Sequence, residues 1–420
     1  MADFQAPPKI FLKEKREVPV QKGHPWVFSN AISRIDQASP SQAPAPASST
    51  PTSPIVEVYS SKQEFLGLAT WNKRNSISLR IISRDKNEEI NAKFFAKRFA
   101  ELLELKTRFL PDKTNGFRVV HSDADYMPGL IVDKYDSVIV FQIHTEGMEF
   151  FRDEIIEAIE KSFKPKAIIE RSDVEARKQE GLKPLPPKIH KGAPGDLIEF
   201  EENGIKFYAD PINGQKTGFF LDQRDARIKT LSLAKGKKVL NLFGYTGAFS
   251  IYALKGGAEK TVTVDVSEKA IDLAEKNMKL NKIAPKKSEL ICKDVFDYLN
   301  SRENHAVKGP AEEKFDLIIC DPPAFAKTAN DVQNAFKAYV ALNKRCMDLL
   351  DLGGLLVTSS CSGRVTLDDF LTMLKIAAGQ ANKDFRILDT IEQPSDHTSK
   401  ISFPEGRYLK TLVLECINKF

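Results

Sequence analysis

After residue 200 the chain repeats one pattern, a short apolar run followed by other structure with helical spacing. The runs fall at 237–241, 260–264, 288–292, 315–321 and 355–359, and helical patterns lie at 268–281 and 331–351. Strand-length runs alternating with helices predict crossover connections and hence a parallel, doubly wound α/β sheet. In such a sheet, ligands collect beyond the carboxyl ends of the strands, where the strand order reverses. The residues that follow each run are therefore the candidate site, in a domain over 200–420.

A chain of 420 residues exceeds one ordinary domain, and its first half has a different texture. Alternating stretches at 55–59 and 76–82 predict a small β-domain over 8–85. Within it, 38–54 is almost entirely Pro, Ser, Ala and Thr. Such a segment buries too little apolar area to offset chain entropy, so a flexible surface insertion is expected. Phe94, Phe95, Phe99, Leu102 and Leu103 give 91–110 helical spacing. Strand-like runs at 129–133, 138–143 and 167–171, with a helix over 149–163, complete an α+β unit over 90–195. Its end, 181–195, reads as a linker or hairpin entry.

Composition narrows the function classes. No apolar run approaches the roughly 18–20 residues needed to cross a bilayer. The N-terminus lacks a basic region followed by an apolar one, so export is not expected. Five cysteines make neither a disulfide framework nor a close metal-binding pair, so no metal is expected. They read as reduced thiols of a cytoplasmic protein. A net charge of +5 is compatible with binding nucleic acid.

The first strand of the sheet ends in Phe243-Gly244-Tyr245-Thr246-Gly247. Glycines let backbone turn tightly and approach a ligand closely. The spacing departs from the Gly-x-Gly-x-x-Gly cradle that binds a pyrophosphate. S-adenosylmethionine, which has no pyrophosphate, fits better, with Asn241, Phe243, Gly244, Tyr245 and Gly247 as candidate contacts. Asp265 ends the second strand and is placed to accept both ribose hydroxyls. Asp294 follows the third and could accept from the adenine amine while Phe296 covers the ring. Taken singly, either aspartate could instead be a helix N-cap, but their regular placement after successive strands favours the ligand role.

Asp321-Pro322-Pro323 ends the fourth strand. Its prolines stiffen the loop, so the Asp321 carboxylate and nearby carbonyls suit the edge of a planar base as well as the cofactor. Thr358-Ser359-Ser360-Cys361-Ser362-Gly363 ends the fifth. A thiolate there would have a specific use: addition to carbon 6 of a pyrimidine makes carbon 5 nucleophilic. With an ordinary pKa of about 8.5 it would need activation. Cys292, Cys346 and Cys416 read instead as buried, inert thiols. Cys320, one residue from Asp321, should face the core. A proton acceptor is also required, and Asp396, His397 or a water held by Asp321 are the candidates.

These motifs, in this order, resemble the large-subunit ribosomal RNA methyltransferase I family over nearly the whole length. That family is of class I enzymes that form 5-methylcytosine and carry an N-terminal PUA domain. Lys22-Gly23-His24-Pro25-Trp26 is similar to the opening of its PUA domain, which implies RNA contacts by Lys22, His24 and Trp26. Glu170-Arg171-Ser172-Asp173 resembles its central domain. Gly214 to Arg224 resembles a signature that implies a cofactor-seating role for Gln223 and Arg224. Thr358 to Gly363 and Phe403 to Lys410 match its C-terminal motifs.

The resemblance implies a Rossmann-like methyltransferase sheet behind a PUA domain and an α+β domain. It further implies S-adenosylmethionine as cofactor, ribosomal RNA as substrate with Pro322 and Pro323 against the base, and a fold compatible with a homodimer. Two features depart from the pattern: the insertion at 38–54, and Thr398 where proline is expected after Asp396-His397. Pro323 stands where other RNA cytosine-5 methyltransferases place a second cysteine, as in a one-cysteine variant. Methylation of guanine or of an exocyclic amine would keep the fold and need no thiol. A non-catalytic RNA-binding assembly factor would keep the fold without the chemistry.

Overall fold

The computed structural model describes residues 7–36, 54–308, 314–326 and 331–420. Apart from Pro54, the expected insertion at 38–54 lies outside the described residues. Strands β1 (Lys9–Leu12), β2 (Trp26–Phe28), β3 (Ile32–Asp36), β4 (Ile55–Tyr59), β5 (Phe65–Trp71) and β6 (Ile77–Ser83) form one sheet in the order β2-β6-β5-β4-β1-β3. Only β1 and β4 run parallel in it. Ile10, Val56, Val58, Leu79 and Ile81 form the core of this unit.

A second sheet holds β7 (Gly116–His121), β8 (Leu130–Tyr135), β9 (Val138–Ile143), β10 (Ala167–Glu170) and β11 (Lys188–Lys191), ordered β11-β10-β9-β8-β7. The segment expected as a linker or hairpin entry supplies β11, antiparallel to β10. Helices Ala92–Thr107 and Arg152–Phe163 cover one face. Asn91 starts the first of them, its side chain accepting from the backbone of Lys93 and Phe94. Side chains alternate along a strand, so Ile139, Phe141 and Ile143 share a core with these helices. Val138 and Val140 join Phe200, Phe207 and Phe219 of the C-terminal part instead. The central sheet is thus buried on both faces and shares one of its cores with the domain that follows.

That domain begins with a hairpin, β12 (Ile198–Glu202) and β13 (Ile205–Ala209). Its sheet contains β14 (Lys238–Leu242), β15 (Lys260–Asp265), β16 (Ser288–Cys292), β17 (Phe315–Cys320), β18 (Leu350–Ser360), β19 (Lys383–Ile391) and β20 (Lys410–Lys419). The order is β16-β15-β14-β17-β18-β20-β19. Connections run outward in opposite directions from β14 and β17, and a crevice opens where they part. Strands β14 to β18 are parallel, as expected. The sheet as a whole is mixed, because β20 runs antiparallel to both β18 and β19. No long helix lies between β19 and β20 to make the crossover that a parallel pair requires.

Candidate active site

Beyond the carboxyl ends of β14, β15, β17 and β18 lies a cavity of about 430 Å³, a size usual for small-molecule sites. One side of it is built by the turn after β14. Phe243 and Tyr245 adopt left-handed backbone (φ 57° and 44°), a conformation that non-glycine residues keep only where surrounding structure enforces it. Gly244 was expected to let a ligand approach. Its near neighbour is the sheet itself, since a Cβ there would stand 2.3 Å from Thr263 Cγ2. Gly247 (φ 74°) turns the chain into helix Ala248–Lys255 and faces Ala274 rather than the cavity.

Asp265 faces this turn. Its Oδ2 accepts from Tyr245 N and its Oδ1 from Ser267 N, each at 2.9 Å. Each oxygen keeps a lone pair, so the carboxylate can still receive a pair of hydroxyls. Val266 beside it is 67% exposed on the cavity rim, an apolar surface suited to the flat face of a nucleobase. These residues fit the nucleoside half of S-adenosylmethionine.

The opposite side carries the titratable groups. Gln223 Nε2 donates to Asp321 Oδ1 at 2.7 Å, and both side chains line the cavity. Burial and the neighbouring Asp222 carboxylate push the Asp321 carboxyl up to about 7, against the pull of Lys216, Arg227 and a hydrogen bond from Ser359. Burial opposes ionisation of Asp222 too. Lys216 Nζ (2.6 Å) and the Tyr408 hydroxyl (2.7 Å) on its Oδ2 nevertheless hold it well below the usual carboxylate range. Cys361 is half-buried on the same wall, its Sγ 3.9 Å from Pro322 O. Burial, with Asp321 beside it, pushes the thiol up to about 11.

The loop that holds Cys361 is firmly seated. Ser360 Oγ and Ser362 Oγ lie 3.0 and 3.3 Å from Tyr339 Oη. Lys410 Nζ donates to Ser362 O (2.9 Å) and Val365 O (2.6 Å). Cys320, Cys346 and Cys416 are buried, whereas Cys292 is exposed. The expectation for Cys292 fails because it ends the edge strand β16, where no outer neighbour covers it.

Phe243, Gly244, Tyr245, Asp265, Gln223, Asp321, Pro322, Pro323 and Cys361 thus converge on one cavity. Other sequence candidates do not reach it. Asn241 is buried, its Nδ2 donating to Ser250 Oγ at 3.0 Å. Asp294 is exposed and caps the next helix, accepting from Asp297 N at 3.1 Å. Arg224 pairs with Asp396, Nη2 to Oδ1 at 2.8 Å, and both are buried behind the wall. His397 is buried beside them with Nδ1 3.4 Å from Asp396 Oδ1, so neither residue faces the cavity as a proton acceptor.

The N-terminal candidates lie elsewhere. Trp26 Nε1 donates to Asp123 Oδ1 at 2.7 Å, and its ring meets Phe403 edge-on at 4.9 Å. His24 Nε2 is 3.3 Å from Glu405 Oε2, while Lys22 is exposed. Trp26 and His24 therefore make contacts between domains. Thr398 also finds a reason there: its hydroxyl accepts from Lys106 Nζ at 2.7 Å and donates to Asp125 Oδ1 at 2.6 Å, which proline could not do.

Lys216, Asp222, Val266 and Tyr408 were not singled out from the sequence. Three of them sit inside recognised motifs, but only the folded geometry brings them to one wall.

Residues 187–403 match the S-adenosylmethionine-dependent methyltransferase family, and residues 10–84 match a PUA-like domain. The ribosomal RNA large subunit methyltransferase I of Aliivibrio fischeri (strain MJ11) is 36% identical over 402 residues, 96% of this chain and 97% of that protein. The chain belongs to the ribosomal RNA large subunit methyltransferase I family. A second member, from Alteromonas mediterranea, is 38% identical over 408 residues, covering 97% of this chain and 98% of its own. Among solved structures, a candidate SAM-dependent methyltransferase from Streptococcus mutans aligns with a TM-score of 0.79 at 25% identity, over 97% of this chain and 99% of that one. A candidate methyltransferase solved with SAH aligns at 0.80, with the same identity and coverage. As in this family, S-adenosylmethionine is the cofactor. Among the described residues no helix is long and apolar enough to cross a membrane, and no three His, Cys, Asp or Glu are grouped to hold a metal.

Proposed function

We propose that this protein methylates carbon 5 of a cytosine in large-subunit ribosomal RNA, with Cys361 as a transient covalent nucleophile. The observation that carries this reading is the pairing of Cys361 with the Asp321-Pro322 loop on one cavity wall, Sγ 3.9 Å from Pro322 O. The names of the relatives support ribosomal RNA as substrate.

When bound, S-adenosylmethionine supplies an electrophilic methyl group on its sulfonium. Asp265 would receive the ribose hydroxyls, Val266 and Phe243 would flank the adenine, and Pro323 would lie at the edge of the substrate base. With a pKa of about 7, Asp321 is partly protonated at neutral pH and can donate to the ring nitrogen of cytosine. Pro322 O would accept from the exocyclic amine. Drawing electrons to the ring nitrogen makes carbon 6 electrophilic. Cys361 then bonds to carbon 6 as its proton passes to the Asp321 carboxylate, directly or through a water, and the displaced π pair moves to carbon 5. Carbon 5 takes the methyl group and, once methylated, would give its proton to a water held by Asp321. The returning electron pair restores the ring double bond and expels the Cys361 sulfur.

Methyl transfer to large-subunit ribosomal RNA by wild type and Cys361→Ala tests this directly. Turnover should fall at least about a thousandfold when the nucleophile is removed, while S-adenosylmethionine still binds. Undiminished turnover in Cys361→Ala would mean that the acceptor is an amine or another atom that needs no thiol.

A further inference from the structure

Behind the cavity, one residue of the central sheet is connected to three separate points on the wall. Arg118, on β7, forms a two-pronged pair with Asp133 on β8, Nε to Oδ1 at 2.7 Å and Nη2 to Oδ2 at 2.9 Å. Asp133 Oδ2 also accepts from Thr217 Oγ1 at 2.6 Å, and Thr217 adjoins Lys216. The remaining guanidinium nitrogen, Nη1, is 3.2 Å from His121 Nδ1. Burial and the charge of Arg118 hold His121 well below its ordinary pKa, so the neutral ring can accept this bond. The His121 ring in turn stacks on Tyr408, centroids 6.1 Å apart and planes 27° apart, and Tyr408 donates to Asp222. The third connection is through backbone. Arg118 N donates to Asp396 Oδ2 at 2.9 Å, Asp396 Oδ1 binds Arg224, and Arg224 adjoins the Gln223 that holds Asp321.

All three paths end on the side that carries Asp321 and Cys361. The Phe243–Val266 side is built mainly by the ends of β14 and β15, and the loop that carries Lys216 meets it at one point, where Gln215 N donates to Tyr245 Oη at 2.9 Å. Arg118 is 9% exposed, Asp133, Thr217, Asp396 and Arg224 are at most 1%, and His121 and Tyr408 are half-buried. A planar guanidinium with both prongs engaged fixes direction as well as distance, which a lysine ammonium cannot reproduce.

We propose that Arg118 is a positioning residue for methyl transfer, setting Lys216, Asp222 and Gln223 around the reacting base while touching neither substrate nor cofactor. The proposal rests on reading the Asp321–Cys361 wall as the reacting side.

The test uses the full-length protein and measures turnover on ribosomal RNA together with S-adenosylmethionine affinity by calorimetry. The variants are Arg118→Lys, Thr217→Val and Tyr408→Phe, with the double variant Arg118→Lys/Tyr408→Phe. Displacement of a reacting group by about 1 Å can cost up to about 100-fold, so kcat should fall about 10- to 100-fold in Arg118→Lys. Cofactor affinity should fall far less than turnover, as expected of a residue whose three paths all end on the reacting side. The double variant should lose less than the product of the single losses, because both changes break one path. Should Arg118→Lys fail to fold, Thr217→Val alone decides by the same split of turnover from cofactor affinity. Wild-type turnover, cofactor affinity falling in step with turnover, or fully multiplicative losses would overturn the proposal. Cys361→Ala, assayed in parallel, judges the cytosine chemistry separately. The Arg118 split is read against whatever methyl transfer the protein performs.

Discussion

Asp321 and Cys361 are both tuned away from their ordinary ionisation. The Asp321 carboxyl rises from 3.8 to about 7, chiefly through burial and then Asp222. Because the folded value lies above the unfolded one, ionised Asp321 destabilises the fold. The cost is absent below about pH 4, grows as pH rises to about 7 and is constant above that. Asp321→Asn should therefore raise stability by about 1–2 kcal/mol at about pH 8, allowing for screening of a half-buried group, and give no such gain near pH 4. Thermal unfolding at both pH values checks this, and an equal shift at the two would contradict it. Cys361, pushed up to about 11, is a protonated thiol in the resting protein at neutral pH. Timed alkylation followed by peptide mass mapping should label exposed Cys292 first, with Cys361 slow and accelerating as pH rises towards 11. Equal rates at neutral pH would mean that Cys361 is already activated before a base is seated.

The turn between β14 and helix Ala248–Lys255 shows how closely the elements constrain the site. Gly244→Ala would drive a methyl group into Thr263 on β15, so a loss of about 1–3 kcal/mol is expected together with weaker S-adenosylmethionine binding. Gly379→Ala, near the end of helix Leu367–Gln380 with nothing within 4 Å of the added Cβ, should be neutral or slightly stabilising. Chemical denaturation of the two variants compares them directly, and equal stability would remove the steric reason for Gly244. Strands β14 to β18 were legible because each is a short apolar run ending in a turn with its own chemistry. Strands β19 and β20 were not. The first has mixed exposure and two irregularities of register, at Asp384/Phe385 and Ile387/Asp389, which erase any period of two. Asp222 and Tyr408 escaped notice for a different reason: they lie 186 residues apart and meet only through their hydrogen bond.

At the scale of the molecule, residues 392–409 between β19 and β20 touch every part of the protein. Phe403 packs on Trp26 of the N-terminal sheet, and Asp396 binds Arg118 of the central one. Tyr408 completes the cavity. The N-terminal motif resembled an RNA-contacting surface, yet its tryptophan is spent on holding the domains together. The three parts are joined by buried polar contacts as well as by apolar packing, so the Asp321–Cys361 wall is a property of the whole chain. Cytosine methylation by this assembled site is tested most directly in cells lacking the protein, by mapping 5-methylcytosine across their ribosomal RNA. One position in the large-subunit RNA should lose its methyl group and regain it with wild-type protein but not with Cys361→Ala. An unchanged map, or restoration by Cys361→Ala, would contradict it.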